Sequence, residues 1–141
     1  MFSRRVSLRA AAIGCLLLTH HAEAVEQPAL RMDVTAEQIT VDGNTASESH
    51  ELVLRRTVQI RAPSLQADFH WQRSTELPTG WSLITEFAVR AATLLEQGSV
   101  TVTNTQLIVS GTSPNLDRLD RTLARLEPLL LPGMTVETEV V

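Results

Sequence analysis

The sequence predicts an α+β fold of two tandem small modules. The first reads ββαβ and the second αββαβ, each with helices packed on a small mixed sheet of its own. Three observations predict it. Met32-Asp-Val-Thr-Ala-Glu-Gln-Ile39-Thr-Val41-Asp-Gly43 matches Val100-Thr-Val-Thr-Asn-Thr-Gln-Leu107-Ile-Val109-Ser-Gly111 without a gap at an offset of 68. A repeat at fixed offset marks a duplicated structural unit. Within both copies β-branched residues alternate with polar ones, the pattern of half-buried strands. Leu116, Leu119, Leu123, Leu126 and Leu130 then recur at helical spacing.

Residues 1–24 read as a secretory signal. Arg4, Arg5 and Arg9 precede a short apolar run, Ala10 to Leu18, and Ala22-Glu23-Ala24 supplies small residues at a cleavage site. The run is far short of the ~20 apolar residues a spanning helix needs. No transmembrane segment is therefore expected after cleavage, and the protein is expected outside the cytoplasm. Cys15 lies inside the run and reads as a small apolar residue lost with it. A lipid-anchored reading, from the partial lipobox Ala12-Ile13-Gly14-Cys15, stands beside this one.

The first module is expected over residues 25–76 and the second over 77–141. In the first, the repeated strand pair is followed by His50 to Arg61. Its place in the repeat favours a helix there, with Val53, Leu54, Thr57 and Val58 on one side; the alternation of Leu52/Leu54 and Val58/Ile60 leaves a strand open. Leu65, Ala67, Phe69 and Trp71 alternate as a closing strand. Leu77-Pro78-Thr79-Gly80-Trp81 is a turn by composition. Ser82 to Gln97 is expected as a helix with Ile84, Phe87, Ala88, Ala91, Leu94 and Leu95 on its apolar stripe and Gly98 as its stop. In the last helix Ser113 is the expected N-cap, with Pro114 at the first helical position. Met134, Val136 and Val140 suggest a final strand. The first module lacks room for a leading helix between Ala24 and Leu30.

Residues 25–141 carry nine arginines, no lysine and fifteen acidic residues, a net charge of −6. Such a chain is not steered to nucleic acid and is repelled as a whole by anionic lipid. Without Cys15 it has no thiol, so packing alone must hold the fold.

Little points to chemistry. His50 and His70 fall in different elements with no cysteine partner, which argues against a metal site. Glu137 and Glu139 share one strand face, as a solvated face requires. No nucleophile elbow and no Gly-rich phosphate loop is present, so neither an enzyme nor a cofactor is expected. Trp71 and Trp81 read as core residues. The best candidates for contacting an anionic group or a partner are Arg55 and Arg56, and the stripe Arg118, Arg121 and Arg125.

The second copy resembles a BON (bacterial OsmY and nodulation) domain. The resemblance rests on Leu94-Leu95-Glu-Gln-Gly98, the strand pair ending Val109-Ser-Gly111, the helix after it, and Leu131-Pro132-Gly133-Met134-Thr-Val136. Residues 77–140 also look like the paired BON-like region at the N-terminus of some outer-membrane protein A family proteins. The likeness covers residues 29–76 more weakly. It implies an envelope protein that binds or bridges, with a phospholipid surface or an envelope protein as partner. Subunit assembly as a homo-oligomer, in a secretion-system or envelope complex, is the alternative. The absent lysine and negative charge depart from an electrostatic attachment to anionic lipid.

Overall fold

The computed structural model describes residues 27–141. The expected export signal, with Cys15, lies outside the described residues. The chain runs β1 (Ala29–Val34), β2 (Gln38–Thr45), α1 (Glu48–Arg61), β3 (Gln66–Arg73), α2 (Trp81–Ala92), β4 (Gln97–Thr103), β5 (Gln106–Thr112), α3 (Leu116–Leu126) and β6 (Thr135–Val140), with a 3₁₀ turn at Glu127–Leu129 after α3.

The α+β class holds, but the two modules do not keep separate sheets. All six strands form one sheet in the order β3-β2-β1-β4-β5-β6. The reason is β1 and β4. Each is fully apolar on one face, and they pair antiparallel along their whole length, from Ala29↔Thr103 to Val34↔Gly98. That pairing satisfies two backbone edges which separate sheets would leave open. β1–β2 and β4–β5 are antiparallel; β2–β3 and β5–β6 are parallel, joined by crossovers through α1 and α3.

The repeat survives as structure. β1 and β4, and β2 and β5, begin at the 68-residue offset, and α1 spans the same repeat positions as α3 plus its 3₁₀ turn. One extra residue enters before β6: Gln66 pairs with Gln38, whereas Thr135 pairs with Gln106.

Alternation sends Leu30, Met32, Val34, Ile39, Val41, Val100, Val102, Leu107 and Val109 to one face, all buried. The helices cover that face. α2 lies over β4 and β1 and is flanked by α1 and α3. Ile84, Ala88, Ala91 and Ala92 of α2 are fully buried there. A single helix therefore serves both central strands.

α1 is a helix, not a strand. The Ser47 hydroxyl accepts the His50 N–H, Glu48 and Glu51 sit in the first turn and Arg61 in the last, complementing the helix dipole. Leu54 and Val58 are its buried apolar residues. Capping and four-residue spacing outweigh the strand propensity of its β-branched residues.

Three local expectations fail: the Ser113 cap, Pro114 at the first helical position, which instead precedes the cap, and the Gly98 helix stop. Asn115, not Ser113, caps α3, its side-chain oxygen accepting the Arg118 N–H. Ser113 Oγ instead donates to Leu94 O at 2.7 Å, tying the α3 approach to the end of the α2 region. α2 ends at Ala92, so Gly98 is no helix stop. It lies in β4 opposite Gly111, both with positive φ (146° and 136°), where a Cβ on Gly98 would stand 2.7 Å from the Gly111 Cα. Only glycine permits that approach.

Trp81 fills the core as expected, 1 % exposed, and its indole N–H donates to Asn44 O at 3.0 Å. Trp71 is half-buried and stacks on Phe69 at 5.0 Å.

Candidate binding surface

Two faces remain for partners: the outside of the helix layer and the open side of the sheet. Their chemistry differs.

On the open sheet side, register sets out two rows across the strands. One runs His70, Asp42, Arg31, Thr101, Ile108, Glu137; the next runs Asp68, Thr40, Asp33, Ser99, Ser110, Glu139. Five carboxylates face one arginine, and that arginine is paired with Asp33 at 3.0 Å. His70 lies outward, as expected, 3.2 Å from Asp68.

The helix layer carries apolar residues that its core does not need. Leu52 is 53 % exposed, Ile60 70 %, Val53 42 % and Leu83 45 %. The first three lie on α1 away from its buried Leu54 and Val58, so Val53 does not share their side as the sequence suggested. With α2 they form a groove of about 480 Å³, whose other walls include Arg56, Thr57, Arg61, Glu86 and Arg90. Clustered exposed apolar side chains rimmed by charge mark interaction surfaces.

Arginines of both halves converge beside this groove. Partial burial, and then the fields of Arg90, Arg118 and Arg125, hold the Arg61 guanidinium below its ordinary value. Like charges acting on one another in this way are relieved by an incoming anion. Arg90 ties one nitrogen to Glu86 at 2.9 Å and stacks over Phe87 at 4.7 Å, while its buried Nε has no hydrogen-bond partner among the described residues.

The sequence-predicted arginines divide. Arg56 lines the groove, and Arg118 and Arg125 stand near enough to act on Arg61. Arg121 is exposed on α3. Arg55 turns the other way, its guanidinium 4.8 Å from the centre of the Phe69 ring, where it covers an edge-strand aromatic. Sequence reasoning missed Arg61 and Arg90. The available signal was Leu52 and Ile60, apolar residues outside the expected helical side of Val53, Leu54, Thr57 and Val58.

Between α1, β2, β3 and α2 lies a polar network that is structural. Glu51, buried, takes two hydrogen bonds from the Arg73 guanidinium at 2.9 and 3.0 Å and one from Thr45 at 2.7 Å. Arg73, and then Thr45, hold its carboxyl below the ordinary range against the opposing effect of burial. His50 is 5 % exposed. Its Nδ1 accepts the Ala46 N–H at 3.0 Å, so the ring is neutral and Nε2–H donates to Thr85 Oγ1 at 2.8 Å. Thr85 in turn donates to Trp81 O at 2.7 Å. Burial pushes the His50 pKa down, in keeping with this tautomer. Both ring nitrogens are committed to holding α1 against α2.

Among the described residues, no three His, Cys, Asp or Glu side chains group to hold a metal, and no helix is long and apolar enough to cross a membrane. Neither the models of known protein families nor the sequences of curated proteins match this chain.

Proposed function

We propose that this is a non-enzymatic binding or scaffolding protein of the cell envelope, built from two BON-like halves, which engages an anionic surface through the outside of its helix layer. One observation carries the reading. Leu52, Val53 and Ile60 are exposed in one groove with Arg56, Arg61 and Arg90 and the single carboxylate Glu86, while the acidic side chains of the strands face the opposite way. The net charge of −6 counts against anionic partners only if the charge is evenly spread. Its division between two faces removes that objection. Apolar side chains with arginines beside them suit a phospholipid surface, where area burial and charge attraction add.

Flotation with vesicles tests this. Phosphatidylglycerol vesicles are expected to carry the protein, and phosphatidylcholine vesicles to carry much less. Ile60→Asp or Arg61→Glu is expected to release it. Equal recovery of the wild type and both variants would end the lipid reading.

The same arrangement favours a second reading, assembly of copies with the arginine-rimmed groove of one on the acidic sheet face of the next. Such a contact is head-to-tail and builds rings or filaments. Light scattering separates the two: a monomer at all concentrations excludes assembly, and a salt-sensitive rise in mass supports it.

A further inference from the structure

The two halves fill the space between outer helix and edge strand differently. In the first half, Phe69 and Trp71 of β3 stack at 5.0 Å, and Arg55 of α1 lies over Phe69. The equivalent places are fixed by register. Phe69 pairs with Val41 and Trp71 with Gly43; Thr138 pairs with Val109 and Val140 with Gly111. The second half thus puts Thr138 and Val140 where the first has two aromatics, and Leu123 at the repeat position of Arg55. Thr138, smaller than the Phe69 it replaces, borders open space. A cavity of about 350 Å³ opens between α3, β5 and β6, walled by Leu107, Leu123, Leu126, Leu130, Met134 and Val136.

That volume falls at the lower end of the ~300–1,000 Å³ typical of small-molecule sites. Its charged lining is one-signed. Asp120, half-buried, and Glu127 border it, and no arginine does. Neither carboxylate has a hydrogen bond or ion pair to another described residue. They stand beside leucine side chains, and apolar surface gains by being covered.

We propose that this cavity binds a small amphiphilic amine, with the alkyl chain among the leucines and the ammonium group at Asp120 and Glu127. The site is separate from the arginine-rimmed groove between α1 and α2, and the lining chemistry of the two is opposite in sign.

The test titrates the purified protein with octylamine, octanol and octanoate while methyl resonances are followed by NMR. Octylamine is expected to shift the methyls of Leu123, Leu126 and Val136 saturably, and to bind about fivefold tighter than octanol, as two partly exposed charge contacts allow. Asp120→Asn with Glu127→Gln is expected to bring octylamine down to the level of octanol. Thr138→Phe, which copies the first half, is expected to abolish all three titrations. Ala124→Trp plugs the same cavity from the exposed helix side should Thr138→Phe fail to fold. No saturable shift at these methyls, octanoate binding as tightly as octylamine, or unchanged binding in the Ala124→Trp protein would each overturn the proposal.

Discussion

Met32 and Val100 face each other across β1 and β4, and each is the other's counterpart in the repeat. The register is symmetric about them: Arg31 pairs with Thr101 and Asp33 with Ser99. A pseudo-twofold axis therefore passes between these two side chains. Both are fully buried beneath the helix layer. The halves meet on this axis and share one core.

Gly98 and Gly111 are expected to be the least replaceable residues of the second half. A Cβ on Gly98 would lie 2.1 Å from Ser110 O and 2.7 Å from the Gly111 Cα, all backbone, and its φ is 146°. Overpacking and a disfavoured φ together make Gly98→Ala cost about 3 kcal/mol or more. Gly133 has a positive φ too, but nothing lies within 4 Å of its Cβ position. Gly133→Ala is expected to cost about 1 kcal/mol. Urea denaturation of the two variants checks the contrast.

Ile60 and Ile84 form a second contrast, which separates surface function from stability. Ile84 is fully buried and Ile60 is 70 % exposed. Ile84→Ala is expected to cost about 2–5 kcal/mol by opening a cavity. Ile60→Ala is expected to stay within about 0.5 kcal/mol of wild type while weakening vesicle recovery. Equal losses of stability would mean that Ile60 is packed, not displayed.

Acid is expected to loosen the α1–α2 contact before it reaches the carboxylates. The buried His50 has its pKa pushed below the ordinary 6.5. Between the folded and unfolded values the unfolded chain binds more protons, so stability falls as pH drops below about 6.5. Protonation also turns Nδ1 from an acceptor into a donor facing the Ala46 N–H. His50→Gln removes this titration. Its urea midpoint is expected to be flatter than that of the wild type between about pH 7 and pH 5, the range over which a neutral His50 must protonate.

Glu51 acts further down. Arg73 and Thr45 hold its carboxyl below the ordinary 4.5, so its contribution is complete above that value and is lost as pH falls through the lower folded value. Glu51→Gln is expected to lower stability at neutral pH and to remove part of the acid-side decline. A midpoint unchanged at neutral pH would show that the paired charge contributes nothing.

Much of this was readable from the residues. The 68-residue offset located four strands and two helices, because the same pattern of apolar positions builds the same element twice. Trp81 was readable as core from the size of its side chain in a small domain. The merging of the two sheets was not readable. It depends on β1 and β4 choosing each other over solvent, a long-range pairing that leaves no local mark. The Gly98 stop failed for a related reason: a glycine after a helix and a glycine facing another glycine across a ladder look alike in one dimension. The candidate surface was half legible. Arg56, Arg118 and Arg125 fell in the named clusters, whereas Arg61 and Arg90 joined them only through the packing of α1 on α2.

The axis between Met32 and Val100 has an evolutionary consequence. A lone ββαβ half would expose β1 as an apolar edge that is complementary to itself. Two such chains pairing antiparallel at that edge would form a symmetric homodimer, with the residue on the axis touching its own copy. Joining the two genes through a segment that became α2 would make this association independent of concentration. Once covalent, the partners were free to diverge. One half now carries aromatic rings at its outer strand, and the other carries Thr138 and Val140 there, with a cavity beside Thr138.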